Sequence, residues 1–209
     1  MLQNHAGHIG RSGSGPAAAS VEGVYDAIVL AGGAATRLGG ADKPQLKVAG
    51  RSLLNRAVDA VHGAARIVVV GPEQQVDAAV TFCREDPPGG GPVAAIAAGL
   101  PNTSADVVVV LAGDLPWIAP AVPLLVAALP ASGTALLLDA SGRANYLAAA
   151  WRRASLEAAL AGLGDPLGAS ARALATSVPN VYVGDQDGWG RDCDTWEDLA
   201  EARNRREER

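Results

Sequence analysis

Short aliphatic runs alternate with helical patterns along much of this 209-residue chain, and this alternation constrains the fold more than any other feature of the sequence. Five such runs are short enough to be buried β-strands, and they lie at residues 25–30, 66–70, 80–83, 106–111 and 134–139. Strands that alternate with helices indicate right-handed crossover connections and a mainly parallel sheet with helices on both faces. The sequence therefore predicts an α/β fold of the Rossmann-like, doubly wound kind.

Sequence signals also place the helices between these strands. A helix is predicted to begin near Ser52 and to end at Gly63, because a glycine suits the left-handed position that follows a helix. Pro92 follows three glycines and predicts the first position of a second helix, which runs to about Leu100. A third helix is predicted over residues 121–129.

The last third of the chain has a less regular pattern. Its predicted elements are helices over 151–163 and 168–175, a short strand over 181–183 and an amphipathic C-terminal helix from Thr195 to about Glu208. Thr195 and Asp198 form a capping-box pattern at the start of the last helix. We expect a single domain over residues 24–209, preceded by a disordered arm over residues 1–23.

Composition excludes several classes of function. The chain carries 17 Lys+Arg against 22 Asp+Glu, and its formal net charge of −5 provides no overall positive field for nucleic acid or anionic lipid. No apolar run approaches the roughly 20 residues that span a bilayer, so no contact with a membrane is expected. Two cysteines, Cys83 and Cys193, are too few for a disulfide framework. Because residues 1–23 lack the apolar run of a signal peptide, we expect a cytoplasmic protein.

Glycines and isolated carboxylates are concentrated where the predicted strands end. They lie in residues 31–44, at Gly71, in residues 84–91 and in residues 113–116. Open α/β sheets bind ligands beyond the carboxyl ends of their strands, and these ends meet along one edge. The sequence therefore predicts one binding crevice built from all four segments.

The loop after the first strand has the composition of a phosphate-binding loop. Gly32 and Gly33 allow the backbone to approach a ligand closely and to offer N–H donors, while Arg37 and Lys43 supply positive charge. No Gly-Lys-Ser or Gly-Lys-Thr occurs, and the glycines do not form Gly-x-Gly-x-x-Gly between a strand and a helix. Both the P-loop and the dinucleotide fingerprint are therefore excluded.

Asp114 is the leading candidate for a metal ligand. It directly follows the buried strand predicted over residues 106–111, and Mg²⁺ in proteins takes one or two carboxylates together with the phosphates of a substrate. The alternative is that Asp114 caps the next turn, since Asp is common before Pro in turns. The neighbouring phosphate loop favours the metal.

Other carboxylates lie at the same predicted edge. Asp86 is placed to accept hydrogen bonds from a sugar or a base, although an Asp-Pro turn explains it equally well, and Glu85 is expected to be solvated. Asp192 and Asp194 precede the last helix, where capping by Thr195 does not require them. A second metal ligand at Asp194 is therefore left open by the residues alone.

The sequence offers no protein nucleophile. His5 and His8 lie in the expected arm, His62 closes a predicted helix, and no serine stands in a Gly-x-Ser-x-Gly elbow. This indicates direct transfer between two bound substrates, in which the protein contributes positioning and charge neutralisation.

The first loop and several later segments resemble those of a known family. Residues 27–43, with Leu30-Ala31-Gly32-Gly33 and the ending Asp42-Lys43, are similar to the signature loop of nucleotidyltransferases that activate sugars and pterins as nucleoside diphosphate derivatives. Within that superfamily the chain resembles molybdenum cofactor guanylyltransferases through Gly91-Pro92, Gly99-Leu100, Gly113-Asp114-Leu115-Pro116 and Asp194-Thr195-Trp196-Glu197-Asp198-Leu199. The resemblance extends over about residues 25–202.

This resemblance implies a fold of the nucleotide-diphospho-sugar transferase type and a Mg²⁺-dependent reaction. In that reaction GMP passes from GTP to the phosphate of a molybdopterin-type molybdenum cofactor, and pyrophosphate is released. GTP and the molybdopterin-type acceptor are then the small-molecule partners. Transient contact with molybdoenzymes or their chaperones is also implied.

The resemblance further implies the roles of individual residues. The nucleotide is expected to contact Leu30, Ala31, Gly32, Gly33, Gly71 and Asp86. Lys43 is expected to hold the phosphates, and Asp114 is expected to bind both the nucleotide and Mg²⁺. Beyond the resemblance, we hypothesise that Arg37 and Lys43 neutralise the leaving pyrophosphate and that Asp194, which the residues alone leave open, shares Mg²⁺ with Asp114. Arg37, Lys43 and Asp114 are thus the predicted catalytic residues.

Three departures from the family pattern keep alternatives open. The loop has Ala34 and Ala35 where the family usually has serine or a basic residue, Gly71 matches a nucleotide-contacting asparagine, and Asp192 and Asp194 replace two asparagines. The aspartates resemble those of relatives that use CTP on the same cofactor or that act on other phosphorylated acceptors. The altered loop leaves open a catalytically impaired, nucleotide-binding regulatory protein. We expect the acceptor near four polar residues of the irregular region, Arg143, Asn145, Arg152 and Arg153.

Overall fold

The computed structural model describes residues 25–32 and 43–205. Seven strands in this part of the chain form one sheet: β1 (Asp26–Leu30), β4 (Ile67–Val70), β5 (Thr81–Cys83), β6 (Val107–Ala112), β7 (Thr134–Leu138), β8 (Ala144–Arg152) and β9 (Asn180–Gly184). Two further strands, β2 (Lys47–Val48) and β3 (Arg51–Ser52), pair as a separate hairpin. The sheet order is β5-β4-β1-β6-β8-β7-β9, and the five runs predicted as strands are all confirmed.

The sheet is mainly parallel and contains one reversed strand. β5, β4, β1 and β6 are parallel neighbours, β7 and β9 are parallel, and β8 is antiparallel to both β6 and β7. The carboxyl ends of the other six strands therefore lie along one side of the sheet, which we call the carboxyl edge.

The sequence analysis missed β8, and its prediction of a helix over residues 151–163 was wrong at its start. Trp151 and Arg152 are the last residues of β8, and the helix α4 runs over Arg153–Leu163. The alanines at 148–150 favour a helix intrinsically, but all of them are fully buried between β6 and β7. Packing in the sheet decides the conformation here over local propensity.

The remaining helices are α1 (Leu53–Ala60), α2 (Pro92–Gly99), α3 (Ala121–Ala128), α5 (Ala171–Thr176) and α6 (Trp196–Asn204). The side chain of Ser52 caps α1 by accepting from the amide of Asn55, and Thr195 and Asp198 form the predicted capping box of α6. The predicted end of α1 at Gly63 was wrong, because Val61 already occupies the C-cap. The predicted start of α5 at Gly168 was also wrong, since Gly168 has a φ of +69° and Ser170 is the N-cap.

Two apolar layers cover the two faces of the sheet. Val29 and Leu111 pack with α1 and α3 through side chains such as Leu54 and Leu125 on one face. On the other face, residues such as Ile28 and Val110 pack with α2, α4 and α5. The predicted fold class, with helices on both faces, is confirmed.

Two other expectations bear on this fold. Cys83 and Cys193 are both free thiols. The longest helix within residues 25–32 and 43–205 has 11 residues, and none of the helices there has the length and apolarity to cross a membrane.

Candidate functional site

The four segments predicted to form one crevice do meet at the carboxyl edge. The amide of Gly113 donates to the carbonyl oxygen of Leu30 at 2.8 Å, and the amide of Ala31 donates to Val70 at 2.8 Å. Gly71, which follows β4, donates to the carbonyl oxygen of Cys83 at 2.9 Å. The segments that follow β1, β4, β5 and β6 therefore lie side by side, as the parallel pairing of these strands requires.

Glycines allow these segments to approach one another closely. A Cβ on Gly71 would stand 2.8 Å from the carbonyl carbon of Ala31 and 3.0 Å from the amide nitrogen of Gly32, and φ at Gly71 is +154°. A Cβ on Gly113 would stand 2.9 Å from the carbonyl oxygen of Leu30. Because backbone atoms cannot yield as a flexible side chain can, residues 30–32 are held between two positions that only glycine fits.

Lys43 lies between two carboxylates at this edge. Its Nζ is 2.5 Å from Oδ2 of Asp114 and 2.5 Å from Oδ1 of Asp194. Lys43 begins a short 3₁₀ turn, Asp114 follows β6, and Asp194 lies just before α6. Three segments far apart in sequence therefore converge on one ammonium group.

This ammonium group remains charged. Burial by itself lowers the pKa of Lys43, but the charge of Asp114, the hydrogen bonds to Asp114 and Asp194 and the charge of Asp194 outweigh burial and raise the pKa. Partial desolvation, together with the charges of Asp194 and Asp114, raises the pKa of the neighbouring Asp192. The site is thus rich in carboxylates, and a cation there is electrostatically favoured.

The carboxylates fit Mg²⁺. Oδ1 of Asp114 is buried, and no donor in the described ranges reaches it. Asp194 shares the ammonium of Lys43 with Asp114, so these two carboxylates lie on one cation position. Within residues 25–32 and 43–205 no three His, Cys, Asp or Glu side chains are grouped to hold a metal ion. Two carboxylates suffice for Mg²⁺ when the phosphates of a substrate complete its coordination.

The residues after β5 differ from expectation. Asp86 is exposed, whereas Glu85, which we expected to be solvated, is half-buried. Oε1 of Glu85 accepts from the amide of Gly89 at 2.9 Å, and Oε2 is buried with no donor among the residues that the structure describes. Glu85 lies beyond the end of β5 at Cys83, and its carboxylate is held by the amide of Gly89 beside Gly32. No periodic pattern in the sequence therefore marks its burial.

Two of the four residues expected near the acceptor lie at the wrong edge of the sheet. Arg152 donates to the carbonyl oxygen of Pro130, and Arg153 donates to that of Ala105, which precedes β6. Because β8 is antiparallel to β6, its last residues lie opposite the start of β6, away from Asp114. The placement of Arg152 and Arg153 in the acceptor site was therefore wrong. Asn145 does lie towards the carboxyl edge, paired with Leu137 near the end of β7, and Arg143 is next to Ala144, the partner of Leu138.

A cavity of about 480 Å³ adjoins the carboxylates on the side of α6. Its lining includes Trp117, Asp187, Arg191, Asp192, Glu201 and Arg205. The guanidinium carbons of Arg56 and Arg205 lie 4.7 and 5.4 Å from the centre of the Trp117 ring. Cation–π contacts of this kind fix the aromatic wall of the cavity.

Several predicted features fall outside the described residues. They are the arm over residues 1–23, the last part of the predicted C-terminal helix, and Gly33, Ala34, Ala35 and Arg37 of the first loop. The expected roles of Gly33 and Arg37 stay predictions.

A family model and a curated relative match this chain. The model described as the MobA-like NTP transferase domain matches residues 27–181. A molybdenum cofactor guanylyltransferase from Bradyrhizobium sp. strain ORS 278 is 35% identical over 126 residues, which are 55% of this chain and 59% of that relative. The match thus spans less than two thirds of the relative's length.

Solved structures share the fold at low sequence identity. A 2-C-methyl-D-erythritol 4-phosphate cytidylyltransferase from Thermus thermophilus has a TM-score of 0.67 and 21% identity, with 86% of this chain and 98% of that chain covered. Molybdopterin-guanine dinucleotide biosynthesis protein A from Archaeoglobus fulgidus has a TM-score of 0.65 and 17% identity, with 88% and 100% covered. At these identities the likeness concerns the fold.

Proposed function

The chain belongs to the MobA-like NTP transferase domain family, and from this premise we propose that it transfers GMP from GTP to the phosphate of a molybdopterin-type cofactor and releases pyrophosphate. The observation that carries this proposal is the position of Lys43, 2.5 Å from both Asp114 and Asp194 beside the glycine-bounded start of the first loop. The similarity to a guanylyltransferase over 55% of the chain supports the choice of GTP and of this acceptor.

Asp114 and Asp194 are the residues that would hold Mg²⁺. When bound there, Mg²⁺ would supply a Lewis-acid charge that polarises the phosphates and neutralises the negative charge of the reaction. Oδ1 of Asp114, which is buried without a donor from the described segments, supports this assignment.

The chain's own residues would position the nucleotide and balance its charge. The backbone of Leu30, Ala31 and Gly32 would line the nucleotide, with the amide of Ala31 already engaged by the carbonyl oxygen of Val70, and Gly71 packs directly against this backbone. Lys43, together with Arg37, would neutralise the departing pyrophosphate. The acceptor phosphate is then the nucleophile, in keeping with the lack of a nucleophilic motif in the sequence.

The acceptor would enter from the side of α6. The cavity of about 480 Å³ adjoins Asp192 there, and its volume lies within the ordinary range for small-molecule sites. Arg191 and Arg205 bring guanidinium groups, and a phosphorylated acceptor would compete with Glu201 for Arg191. Nucleotide and acceptor would thus flank the two carboxylates from opposite sides.

A second candidate is cytidylyl transfer to the same cofactor, or nucleotidyl transfer to another phosphorylated acceptor. Asp192 and Asp194, in place of asparagines, favour it, and so does the likeness in fold to a cytidylyltransferase. A catalytically impaired regulatory protein would share the fold and the nucleotide site. The retained cluster of Lys43, Asp114 and Asp194 argues against this third candidate.

Titration calorimetry with GTP, CTP, ATP and UTP, with and without Mg²⁺, tests the proposal. We expect Mg²⁺-dependent binding that is strongest for GTP, followed by release of pyrophosphate when the acceptor is added. Asp114→Asn should abolish this release while the protein stays folded, and Asp59→Asn, on the exposed face of α1, should not change it. A preference for CTP would establish the second candidate, and binding without pyrophosphate release would establish the regulatory protein.

The cellular location of the protein follows from the same proposal. Both substrates are cytoplasmic metabolites in this scheme, so we place the protein in the cytoplasm. Transient contact with molybdoenzymes or their chaperones would deliver the finished cofactor.

A further inference from the structure

Glu85 presents a buried carboxylate oxygen, without a hydrogen-bond donor among the described residues, beside the first loop. Its Oε1 lies 3.9 Å from the point at which a Cβ on Gly32 would stand, so the carboxylate adjoins the backbone that we assign to nucleotide binding. Oε1 accepts from the amide of Gly89 at 2.9 Å. Oε2 is buried, and nothing in residues 25–32 or 43–205 donates to it.

An oxygen in this state is unfavourable unless a donor reaches it. A carboxylate oxygen removed from water loses hydrogen bonds, and this loss is offset only by a new donor. The amide of Gly89 satisfies one oxygen and fixes the carboxylate, which leaves the second oxygen as the available acceptor. A ligand held by the backbone of residues 30–32, which the carboxylate adjoins, would provide the missing donor.

The chain on either side of Glu85 is closely packed. Glu85 follows the end of β5 by two residues, and the thiol of Cys83, the last residue of β5, contacts the carbonyl oxygen of Ala98 in α2. A Cβ on Gly90 would stand 2.8 Å from that of Ala94 and 3.1 Å from a methyl group of Leu167. The backbone that carries the donor of Gly89 is therefore packed tightly against its neighbours.

We propose that Glu85 determines nucleotide specificity by accepting a hydrogen bond from the nucleoside part of the substrate. This inference rests on the proposed function, because it assumes a nucleoside triphosphate on the first loop. The donor is either an N–H group of the base, where guanine offers N1–H and a 2-amino group, or a hydroxyl group of the ribose. Both sources share the same chemistry, a neutral donor directed at a fixed carboxylate oxygen.

Glu85 carries this role better than its neighbour Asp86. Asp86 is exposed, so water competes for its oxygens and a ligand gains little by replacing that water. The Oε2 atom of Glu85 is already withdrawn from water, so a hydrogen bond from a ligand to this atom replaces no hydrogen bond to water. The resemblance points to Asp86 as the nucleotide contact, and the greater burial of Glu85 is the reason for proposing Glu85.

The experiment compares nucleotide binding by the wild-type protein and by Glu85→Gln. The amide of glutamine still accepts from Gly89 through its oxygen, and this places an NH₂ donor where Oε2 now lies. Two donors would then face each other, so we expect GTP to bind about 10- to 100-fold more weakly. Glu157→Gln makes the same chemical change on α4, where Glu157 pairs with Arg153 at the opposite edge of the sheet, and it should bind GTP as the wild type does.

Three nucleotides identify the source of the donor. Inosine triphosphate lacks the 2-amino group, 2′-deoxy-GTP lacks one ribose hydroxyl and 3′-deoxy-GTP lacks the other. If the donor is the 2-amino group or a ribose hydroxyl, we expect the wild type to bind the analogue that lacks it about tenfold more weakly than GTP, and Glu85→Gln to lose that preference. If Glu85→Gln weakens GTP binding and the wild type shows no such preference, the donor is N1–H. Glu85→Ala, which removes the carboxylate without introducing a donor, repeats the comparison if the glutamine variant does not fold.

The results separate this inference from the proposed function. If the wild type binds GTP and Glu85→Gln binds it within twofold, with an unchanged preference among the analogues, the role of Glu85 is wrong and the proposed function stands. If Asp86→Asn, and not Glu85→Gln, loses the preference, Asp86 is the specificity residue. If the wild type binds no nucleoside triphosphate, the proposed function and this inference both fail.

Discussion

At the scale of single residues, the candidate site consists of carboxylates whose negative charge is balanced by the ammonium group of Lys43. The ammonium group is shared by Asp114 and Asp194, and burial, followed by the charges of Asp194 and Asp114, raises the pKa of the nearby Asp192. One cation thus pairs with two carboxylates. In the absence of a metal ion, Lys43 acts as the counter-ion that keeps these carboxylates together.

Replacement of Lys43 should therefore affect metal and nucleotide in opposite directions. We expect Lys43→Met to bind Mn²⁺, used as a probe for Mg²⁺, about tenfold more tightly without nucleotide, because the carboxylates lose the cation that competes for them. The same variant should bind GTP about tenfold more weakly, because its phosphates lose a positive partner. The loss of the free Mn²⁺ signal in electron paramagnetic resonance measures the first effect, and calorimetry measures the second.

Lys47→Met is the matched control for this prediction. Lys47 is the only other lysine of the chain, and its exposed side chain lies in the β2–β3 hairpin. It should change neither affinity by more than about twofold. Weaker Mn²⁺ binding by Lys43→Met would show that Lys43 supports the metal site instead of competing for it.

The residue scale also shows what sequence alone can and cannot place. Asp114 and Lys43 were predicted at the site because each follows a feature that the sequence marks clearly, a buried strand or a glycine-rich loop. Their direct contact was not predictable, since it depends on two side chains 71 positions apart. Glu85 was misjudged because its burial is produced by the packing of the glycine segment, which composition does not reveal.

At the scale of elements, the parallel strands position the site and the glycines between them set its dimensions. Strands of continuous aliphatic sequence were predicted correctly because burial on both faces leaves few other conformations for them. β8 was missed because its alanines carry no strand signal, and the reversal of that strand moved Arg152 and Arg153 to the far edge. A strand's direction depends on its neighbours, so the sequence predicts which residues end a strand better than the edge where they lie.

Gly71→Ala should disturb the start of the first loop specifically. The added methyl group would meet the backbone of Ala31 at 2.8 Å and that of Gly32 at 3.0 Å, and Ala31 cannot move without breaking its hydrogen bond to Val70 at the end of the β1–β4 pairing. We expect a loss of about 1–3 kcal/mol in the free energy of unfolding, as for other overpacked positions. We also expect at least about tenfold weaker GTP binding, because residues 30–32 would be displaced.

Gly142→Ala separates backbone strain from this crowding. Gly142 also has a positive φ, +82°, but a Cβ there would have no neighbour within 4 Å. The variant should lose about 1–2 kcal/mol through strain alone and should bind GTP as the wild type does. Urea unfolding and calorimetry on both variants provide the comparison, and equal nucleotide affinities would contradict the role of Gly71.

At the scale of the whole molecule, α6 packs against residues of the first third of the chain beside the candidate site. Cys193 is buried with Val48, Leu53 and Leu199 in a small apolar cluster, and its amide donates to the carbonyl oxygen of Asp114 at 3.2 Å. The segment that carries Asp192 and Asp194 is therefore fixed by the same contacts that attach α6. Stability and the geometry of the site are linked through this cluster.

This link predicts a loss of stability at high pH. Burial, followed by the charges of Asp114 and Asp198, raises the pKa of the Cys193 thiol to about 12. The folded-state pKa thus lies above the ordinary thiol value of 9.0, so the stabilisation is fully present below about pH 9 and is lost as the pH rises towards 12. Between these values the unfolded chain has released a proton that the folded protein retains. The free energy of unfolding should then fall by up to about 1.4 kcal/mol per pH unit from this thiol.

Cys193→Ala tests the source of that slope. The variant removes the ionisable group while an apolar side chain still fills part of the cluster, so its stability should fall less steeply between about pH 9 and 11 than that of the wild type. Urea unfolding at several pH values in this range, under reducing conditions, gives both slopes. Equal slopes would mean that the thiol is as accessible to ionisation in the folded protein as in the unfolded chain, and α6 would then be attached too loosely to fix Asp192 and Asp194. A shallower slope in the variant would show that the folded protein shields the thiol, and hence that the segment with Asp192 and Asp194 stays packed together with α6.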